Sequence, residues 1–451
     1  MGDEATAVAD KGWLYHPDYP DHWERCPLYS MAEWVNGLAF RDIHFSPTGR
    51  PVIKIAEIKG GISGQTKFTQ QTFDESVRVR PGDLLFSWSG QPETSIDAFW
   101  WRGPEGWLNQ HVFRVIPADG IEPTFFYCLL RYLKPNFVGI ARNKQTTGLG
   151  HVTKRDLENI EAAYPELPEQ RAIAHILGTL DDKIELNRKQ NETLEAMARA
   201  LFKAWFVDFE PVRAKQEGRV GAPFMAPTSP PAQHPGVMNH APTAWPQHIL
   251  DLFPDRLVES ELGEIPEGWE LRPVGNFADL KGGKQLEREQ IAAVGEIPVF
   301  GGAGVMGYTA NHNADGFVIA VGRVGAYCGQ FFSHRGKAWI NNNASLIHQR
   351  NENLGEWLFL SLHHADIDVI KKGAAQPFVS NGDIAKIPLI WPGEQVVRSF
   401  SAAAAPLMMA QESKTEESKS LAQLRDTLLP QLISGELRIK DAEAFLKERG
   451  L

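Results

Sequence analysis

The strongest constraint on this chain is an internal duplication. The segment Pro20–Glu24 returns 246 residues later as Pro266–Glu270, with a tryptophan at the same place in both copies. Each copy runs through a glycine-rich and aromatic stretch into a long helical heptad pattern. A repeat of this length, with a matched helix in each copy, predicts two similar modules carried by two matched rods.

Both heptads keep one seam of mainly apolar residues. The second seam follows the first by 227 residues, and the polar position is repeated with the apolar ones. Such a seam predicts helix pairing, and its polar residues fix the register of that pairing at a cost in stability. The seam residues are Ile173, Leu180, Asn187, Leu194 and Leu201 in the first heptad, and Phe400, Leu407, Lys414, Leu421 and Leu428 in the second.

The first heptad predicts an uninterrupted helix from Glu169 to Phe206, about 57 Å long at the usual rise of an α-helix. The second predicts a helix from Glu394 to about Ser434. We expect the two helices to pack on each other as an antiparallel coiled coil, which suits modules at opposite ends. A sustained heptad is also typical of a purely structural dimer seam, and on its own it carries no function.

Composition and charge narrow the class of protein. The 451 residues are 43% hydrophobic, enough for packed cores, and no apolar run reaches the length of a signal peptide or a membrane span. Three cysteines without a Cys-x-x-Cys pair support neither a disulfide framework nor a zinc site. We therefore expect a soluble, cytoplasmic protein. Its net charge is −10, but the acidic excess lies mostly in residues 1–22 and 207–266, which leaves room for a basic face on either module.

The module sequences predict mixed β structure with a few helices. Pro51–Ile55 and Asp83–Trp88 are strand-like runs between glycine and proline punctuation. Two landmarks recur in both copies, a buried helix followed by a capped turn. The helix landmarks are Phe125–Leu133 and Trp357–Phe359, and the capped turns are Thr153–Leu157 and Ser380–Ile384.

These features predict an α+β fold with a pseudo-two-fold internal repeat, in which two mixed α/β modules are separated by two long helices that form an antiparallel coiled coil. Proline-rich sequence between the first helix and the second module predicts a tether. The expected parts are an acidic tail (1–22), the first module (23–166), the first helix (167–206), the linker (207–266), the second module (267–392), the second helix (393–435) and a C-terminal segment (436–451).

Motifs that carry catalysis are missing from the sequence. Gly302–Gly307 fits the G-x-G-x-x-G pattern, but a dinucleotide site needs a helix to begin at the third glycine, whereas Tyr308–Asn313 looks like a loop. A glycine-rich turn is therefore expected there. His363–His364 lacks a further ligand at helical spacing, which favours a surface or packed pair over a metal site. A phosphate loop, a nucleophile elbow and the Asn/Asp-Pro-Pro-aromatic element of base methylation do not occur. We predict that the chain catalyses nothing by itself.

The predicted helices contain sequence motifs that resemble those of one known family. Leu167–Leu177, continued by Leu180–Asn187 and Leu194–Phe206, strongly resembles the central conserved region of specificity subunits of type I restriction-modification systems. Leu424–Gly435 resembles the C-terminal conserved segment of that family, whose two-module plan covers nearly the whole chain. The Pro-Glu-Gln element before the first helix is degraded to Pro392–Gln395 before the second, which is a departure from the pattern.

The resemblance implies that each module is a target recognition domain, which reads one half of a split sequence in double-stranded DNA. It also implies that the helices set the gap between the halves and dock two methyltransferase (modification) subunits. Those subunits would bind S-adenosylmethionine and methylate adenine, while separate motor-nuclease (restriction) subunits would use ATP and Mg²⁺ to translocate and cut. This chain itself would hold no cofactor and no metal.

Residues for DNA contact are expected on the module loops, because Arg, Lys, Asn, Gln and Ser side chains bind phosphates and base edges. For any single residue a solvated surface charge or a turn residue is an equal alternative, and Asn341–Asn343 in particular fits a tight turn. The candidates are Lys54, Lys59, Lys67, Ser87, Trp88, Ser89, Arg142, Lys144, Gln145 and Thr146 in the first module, and Lys281, Lys284, Gln285, Arg323, Tyr327, Asn341, Asn342, Lys371, Lys372 and Gln376 in the second.

The sequence is also compatible with two other functions. A coiled-coil scaffold could bind two copies of a protein without any nucleic acid. An enzyme could use a nucleotide site at Gly302–Gly307. The specific sequence of the helix motifs favours a DNA-specificity subunit over both the scaffold and the enzyme.

Overall fold

The computed structural model describes residues 19–144, 148–217, 245–261, 263–325, 327–373 and 376–448. The chain divides into two compact units. Unit 1 combines the residues up to Glu185 with those from Ser418 onwards, and unit 2 is Leu186–Glu417. The division falls inside both long helices, so that each unit contains one β-rich module and a part of each helix.

Short strands and helices build the first module, which lies in unit 1. Its helix at Phe125–Leu133 and its capped turn at Thr153–Leu157 are both present, so those two predictions are confirmed. The elements in chain order are β1 (Glu24–Pro27), β2 (Ala32–Asn36), β3 (Arg50–Ile53), α1 (Ile55–Gly60), β4 (Phe68–Thr69), β5 (Arg78–Val79), β6 (Leu84–Ser87), β7 (Ser89–Gly90), α2 (Pro92–Ser95), β8 (Asp97–Trp100), β9 (Gly106–Leu108), β10 (Val112–Pro117), α3 (Pro123–Tyr132), α4 (Lys134–Asn143), β11 (Gly150–His151), α5 (Lys154–Asn159) and β12 (Glu161–Tyr164).

A long helix and a short folded segment follow. The proline-rich linker predicted over 207–266 is folded at its described ends, where aromatic residues are buried in the core of unit 2, among them Phe209, Trp245 and Phe253. Residues 218–244 of that linker lie outside the described residues. The elements are α6 (Leu167–Phe206), α7 (Glu210–Gln216), α8 (Gln247–Leu250), β13 (Leu257–Ser260) and β14 (Gly263–Pro266).

The second module lies in unit 2 and repeats the plan of the first. Its buried helix and its capped turn stand where the sequence predicts them. The elements are β15 (Glu270–Pro273), β16 (Ala278–Gly282), β17 (Ile297–Gly301), β18 (Gly304–Thr309), β19 (Phe317–Gly322), β20 (Phe331–Arg335), β21 (Trp339–Ile340), β22 (Ala344–Gln349), α9 (Gly355–His364), α10 (Asn381–Ala385) and β23 (Pro388–Trp391); the chain then continues into α11 (Glu394–Ile433) and α12 (Ile439–Glu448).

Strand pairing shows the internal repeat directly. The main sheet is antiparallel in both modules, with the order β2-β10-β6-β8 in the first and β16-β22-β19-β20 in the second. A smaller sheet in each module contains a parallel pair, in which Ile53 lies opposite Leu108 and Phe300 lies opposite Ile340. The chain is therefore an α+β protein with two repeated domains and long helices.

Two details of the strands differ from the sequence predictions. The run Pro51–Ile55 does not remain extended, because the strand ends at Ile53 and a helix begins at Ile55, with the Lys54 N–H donating to the Glu57 carboxylate (3.1 Å). The glycine-rich turn at Gly302 is confirmed as the tip of the β17–β18 hairpin, but β18 extends to Thr309, into the predicted loop.

In unit 1 the two long helices share one apolar core with the first module. Ile173 and Leu180 of α6 are buried there together with Leu421 and Leu428 of α11. Beside this core, Arg425 donates to the Asp181 carboxylate (2.6 Å), and both side chains are less than one-fifth exposed.

In unit 2 the helices meet through a polar layer and an aromatic cluster. The Asn187 side chain is fully buried and donates to Glu417 (2.9 Å), while Asn191 donates to Thr415 (3.0 Å). Further along, the rings of Phe202 and Phe400 lie 5.9 Å apart. Residue numbers rise on α6 as they fall on α11, so the two helices run antiparallel within this unit.

The seam is uneven in its burial. Six of the ten predicted seam residues are buried, Phe400 among them, and the rest are half-buried: Leu194, Leu201, Leu407 and Lys414. Glu417, rather than the Lys414 that repeats its heptad position, faces Asn187. The reason is that antiparallel helices pair residues by a constant sum of numbers, not by a constant difference.

None of the helices in the described part of the chain is both long and apolar enough to cross a membrane.

Candidate nucleic-acid interface

Several backbone connections meet at one end of the main sheet in the second module. The Gly283 N–H donates to the Ala344 carbonyl (3.0 Å), and the Asn341 N–H donates to the Phe300 carbonyl (2.9 Å). Arg323 is held on both sides, because its N–H donates to Asn343 (3.1 Å) and its carbonyl accepts from the Val379 N–H (3.0 Å). These bonds tie four connections into one surface.

The first module contains the same set of bonds. Here the Gly37 N–H donates to the Val112 carbonyl (3.2 Å), and the Asn109 N–H donates to Ile53 (3.0 Å). Trp88 takes the place of Arg323, since its N–H donates to His111 (3.3 Å) and its carbonyl accepts from Val152 (2.8 Å). We call this surface the loop layer; it consists of Asn36–Leu38, Trp88–Gln91, Asn109–His111 and His151–Val152 in the first module, and of Gly282–Lys284, Arg323–Gly325, Asn341–Asn343 and Phe378–Val379 in the second.

One glycine in each loop layer is required by close backbone packing. A Cβ on Gly37 would lie 2.1 Å from the Asn109 carbonyl oxygen, and a Cβ on Gly283 would lie 2.0 Å from the Asn341 oxygen. Neither distance is possible for real atoms, and both obstacles are backbone rather than movable side chains. The two modules therefore share an identical constraint at the point where the main sheet and the smaller sheet meet.

Of the first-module candidates, Trp88 and Ser89 lie in the loop layer and Lys54 lies where β3 leads into α1. Lys59 and Lys67 are exposed on the connection from β3 to β4. Arg142 forms an exposed ion pair with Glu93 (2.6 Å). Ser87 is fully buried, so its side chain does not reach the surface, and its position in the central strand β6 explains why. Gln145 and Thr146 lie outside the described residues.

Of the second-module candidates, four lie in the loop layer and others lie close to it. Lys284, Arg323, Asn341 and Asn342 belong to the layer, Lys281 precedes it on β16, and Tyr327 lies shortly after Arg323 with 51% of its surface exposed. Asn341 is buried, and its side-chain oxygen accepts from the Asn342 N–H (2.6 Å), which locks the predicted turn. Gln285 and Gln376 are exposed, and Lys371 pairs with Asp368 (2.7 Å).

Lys144 and Lys372 perform the same structural task in the two modules. Lys144 binds both carboxylate oxygens of Asp156 (2.6 Å each), and Lys372 binds Asp383 (2.7 Å). Each aspartate also accepts a hydrogen bond from the hydroxyl group that caps its own helix. This hydroxyl belongs to Thr153 for Asp156 and to Ser380 for Asp383. Burial disfavours ionisation of Asp156, but the hydrogen bonds from Lys144 and Thr153 outweigh it, so that its pKa lies below the usual range. These lysines brace a helix cap, which accounts for their repetition without any ligand.

Several polar residues of the first loop layer were not among the sequence candidates, including Asn36, Gln110 and His111. The Trp88 indole N–H donates to the Asn36 side-chain oxygen (3.3 Å), and the Trp88 ring lies 5.5 Å from the His111 ring. Gln110 is within hydrogen-bond distance of His111 (3.1 Å). A signal existed in the sequence, because Asn109–His111 aligns with Asn341–Asn343 at a shift of 232 residues.

Electrostatically, the second loop layer is the more basic of the two. In the part of the chain that the structure describes, Lys281, Lys284 and Arg323 form no ion pair within 4 Å, in contrast to Lys144 and Lys372. Unpaired cations beside exposed amides are the groups that bind phosphates and base edges.

The histidine pair that the sequence offers as a possible metal site is held by structural contacts. The His363 ring lies 3.2 Å from the Phe331 carbonyl oxygen and packs edge-on against Phe359. Both His363 and His364 keep exposed surface, so the pair lies at the surface with one ring packed against its neighbours. Desolvation of the His363 ring by these neighbours lowers its pKa. Among the described residues, no group of three or more His, Cys, Asp or Glu side chains is arranged to hold a metal ion.

Comparison with known proteins assigns the family. The model of the type I restriction modification DNA specificity domain matches residues 20–196 and 266–398, which is more than half of the chain and one match for each repeat. The chain belongs to this family. It is a specificity subunit, the component that gives a type I restriction-modification complex its DNA sequence specificity.

Two curated relatives match over most of their length. The type I restriction enzyme HindI specificity subunit of Haemophilus influenzae is 26% identical over 408 residues, which cover 80% of this chain and 87% of the relative. The MjaIX specificity subunit of Methanocaldococcus jannaschii is 25% identical over 371 residues, which cover 74% of this chain and 73% of the relative.

A solved structure shares the fold. The S subunit of the type I restriction-modification system from M. genitalium aligns with a TM-score of 0.52 at 16% identity, covering 93% of this chain and 99% of that one. At this identity the likeness concerns the architecture alone.

Proposed function

We propose that each loop layer reads one half of a bipartite target in double-stranded DNA, and that the pair of long helices sets the distance between the two halves. The observation that carries this proposal is the repeated backbone frame of the loop layers, in which the same hydrogen bonds hold different side chains. Two sites with one geometry and two chemistries suit two half-sites of different sequence on one duplex.

The spacer function rests on the contacts between α6 and α11. Within unit 2 the helices run antiparallel through Asn187–Glu417 and Phe202–Phe400, and within unit 1 they are joined by Asp181–Arg425. We propose that these contacts belong to one antiparallel coiled coil relating the modules by pseudo-two-fold symmetry. Buried polar residues such as Asn187 would then hold the register, and a stiff helix pair keeps a fixed distance better than a flexible tether.

We further propose that the chain is non-catalytic and works with partners. The helices would dock two methyltransferase subunits, and restriction subunits would join them in the complete enzyme. S-adenosylmethionine, ATP and Mg²⁺ would be bound by those partners. The domain limits proposed for this arrangement are 23–166 and 267–392 for the recognition domains, and 167–206 and 393–435 for the spacer helices.

Shortening both helices by one heptad tests the spacer. Residues 187–193 and 411–417 face each other, as the pairs Asn187–Glu417 and Asn191–Thr415 show, so removing both segments keeps the remaining seam in phase. The deletion shortens the pair by about 10 Å, or about three base pairs of DNA. We expect the gap in the methylated target to shorten by that amount while both half-site sequences stay the same.

The matched control duplicates the same two heptads, which should lengthen the gap by about three base pairs. An unchanged gap in both variants, read by sequencing methylated DNA from cells that carry the complex, contradicts the spacer function. If the chain were only a scaffold for two proteins, the wild-type complex would retain no duplex sequence-specifically, and this result would overturn the proposal as a whole.

A further inference from the structure

Trp88 and Arg323 occupy the same place in the repeated frame. Each follows the last residue of the central strand that pairs with β10 or β22, and each is fixed on both sides by matching backbone hydrogen bonds. The main chain is therefore positioned alike in the two modules, and only the side chain differs. Such a position can discriminate between two DNA half-sites of different sequence, because the two modules present it with the same backbone geometry.

A neighbouring residue determines whether the side chain of Trp88 or Arg323 has a hydrogen-bond partner within its own module. In the first module Asn36 stands beside Trp88, and its oxygen accepts from the indole N–H (3.3 Å). In the second module the equivalent of Asn36 is Gly282, because Asn36 lies opposite Phe113 and Gly282 lies opposite the equivalent Ser345. Gly282 offers no side chain, so it cannot take the place of Asn36 as a hydrogen-bond partner for the side chain of Arg323.

The Arg323 guanidinium has no protein partner in the described residues. Its Nε atom is buried and lacks a hydrogen-bond acceptor, and the side chain forms no ion pair. Its Nη1 atom lies 3.7 Å from where a Cβ on Gly282 would stand. A partly buried guanidinium without an acceptor is costly in isolation, and its donors are satisfied when a ligand supplies the acceptors.

We infer that Arg323 reads a guanine in the second half-site and that Trp88 occupies the equivalent reading position for the first. This inference rests on the proposed function of the loop layers and adds which residue discriminates. Arginine pairs with guanine through two parallel hydrogen bonds to O6 and N7, whereas an indole held by Asn36 offers an apolar edge and no such pair. The two half-sites are consequently expected to differ at this step.

Substitution at Arg323 tests the inference in the intact complex with its methyltransferase subunits. The readout is selection from a duplex library in which both half-sites are randomised. Arg323→Ala should lower discrimination at one G·C pair of one half-site by about 5- to 150-fold, the range for one bidentate base contact. Arg323→Gln should move the preference at that pair toward adenine, which glutamine binds through N6 and N7. Trp88→Ala should alter the other half-site only.

Arg350→Ala is the matched control. Arg350 is a half-exposed arginine of the same module that pairs with Asp279, at the opposite end of the β16–β22 ladder from Gly282. Its removal should leave both half-sites unchanged. The Arg323→Gln variant keeps the test informative if the alanine variant fails to fold.

Three outcomes overturn the inference. Arg323→Ala could retain every base preference of the wild type. It could weaken binding to all sequences equally with a smaller salt dependence, which identifies a phosphate contact. Arg323 and Trp88 variants could change the same half-site. A wild-type complex without any bipartite preference contradicts the proposed function itself, and is therefore distinct from a failure at Arg323.

Discussion

Glycine 283 provides the sharpest test of the repeated frame. An alanine Cβ at this position would lie 2.0 Å from the Asn341 carbonyl oxygen and 2.5 Å from its carbon, well inside any allowed contact. Relief requires the two backbone segments to separate by more than about 1 Å, because no side-chain rotation removes the clash. The segments are tied by the Gly283–Ala344 and Asn341–Phe300 hydrogen bonds, which the separation would weaken.

The expected cost follows from those two effects. Overpacking in a fixed backbone costs about 1–3 kcal/mol, and each of the two weakened hydrogen bonds costs about 1 kcal/mol, so Gly283→Ala should destabilise unit 2 by about 3–5 kcal/mol. For a unit of this size the midpoint of thermal unfolding should fall by about 6–20 °C. Differential scanning calorimetry of the full-length chain measures the shift.

The adjacent glycine is the control. At Gly282 the nearest atom to an added Cβ is Arg323 Nη1 at 3.7 Å, an ordinary contact with a movable side chain. Gly282→Ala should therefore leave the unfolding midpoint nearly unchanged. Equal midpoints for the Gly282→Ala and Gly283→Ala variants would refute the frame, and so would a stable Gly37→Ala variant, because that position has the same close contact in the first module.

Three further predictions concern the helix cap and the helix pair. Asp156→Asn should destabilise unit 1 at neutral pH by about 1–2 kcal/mol; since the folded-state pKa of Asp156 is lowered, the difference from wild type should be full above the ordinary carboxyl pKa and vanish as the pH falls through the lowered one, as thermal melts across the acid range will show. Arg425→Ala leaves the Asp181 carboxylate largely buried without its cation and should cost about 2 kcal/mol in calorimetry, whereas Arg425→Lys should recover part of it. Asn187→Leu should raise the unfolding midpoint but broaden the preferred gap in methylation sequencing, because a buried polar residue trades stability for register.

The long helices and the duplication could be predicted because their signals are local or repetitive. A heptad seam shows in any window of the first helix, and α6 spans Leu167–Phe206, close to the predicted limits. The pairing partner of Asn187 could not be predicted in the same way. It depends on which residue of a helix 230 positions away lies opposite, and the antiparallel geometry selects Glu417 rather than Lys414, the residue that repeats the heptad position of Asn187.

The candidate site was only partly predictable. Exposed basic residues such as Lys284 and Arg323 are recognisable by type, but a residue type does not reveal its neighbours. Lys144 and Lys372 have the same composition signal as those residues, yet the structure pairs each with a capping aspartate. His111 was missed because its role follows from a hydrogen bond to Trp88, between strands that only the folded sheet brings together.

The order of the sheets was likewise not accessible from the sequence. Strand pairings such as β2 with β10 join residues about 80 positions apart, and no local pattern encodes that choice. The folded ends of the linker could not be predicted either. Its proline-rich composition indicated a tether, although Trp245 and Phe253 within it are buried in unit 2.

Sequencing of the modified bases in DNA from cells that carry the complete complex tests the central claim most directly. Two short half-sites, different from each other and separated by a fixed gap of unspecified bases, are the predicted result, with one methylated adenine in each half. A single continuous recognition sequence, or two halves whose separation varies from site to site, would contradict the account of two reading modules held apart by one helix pair.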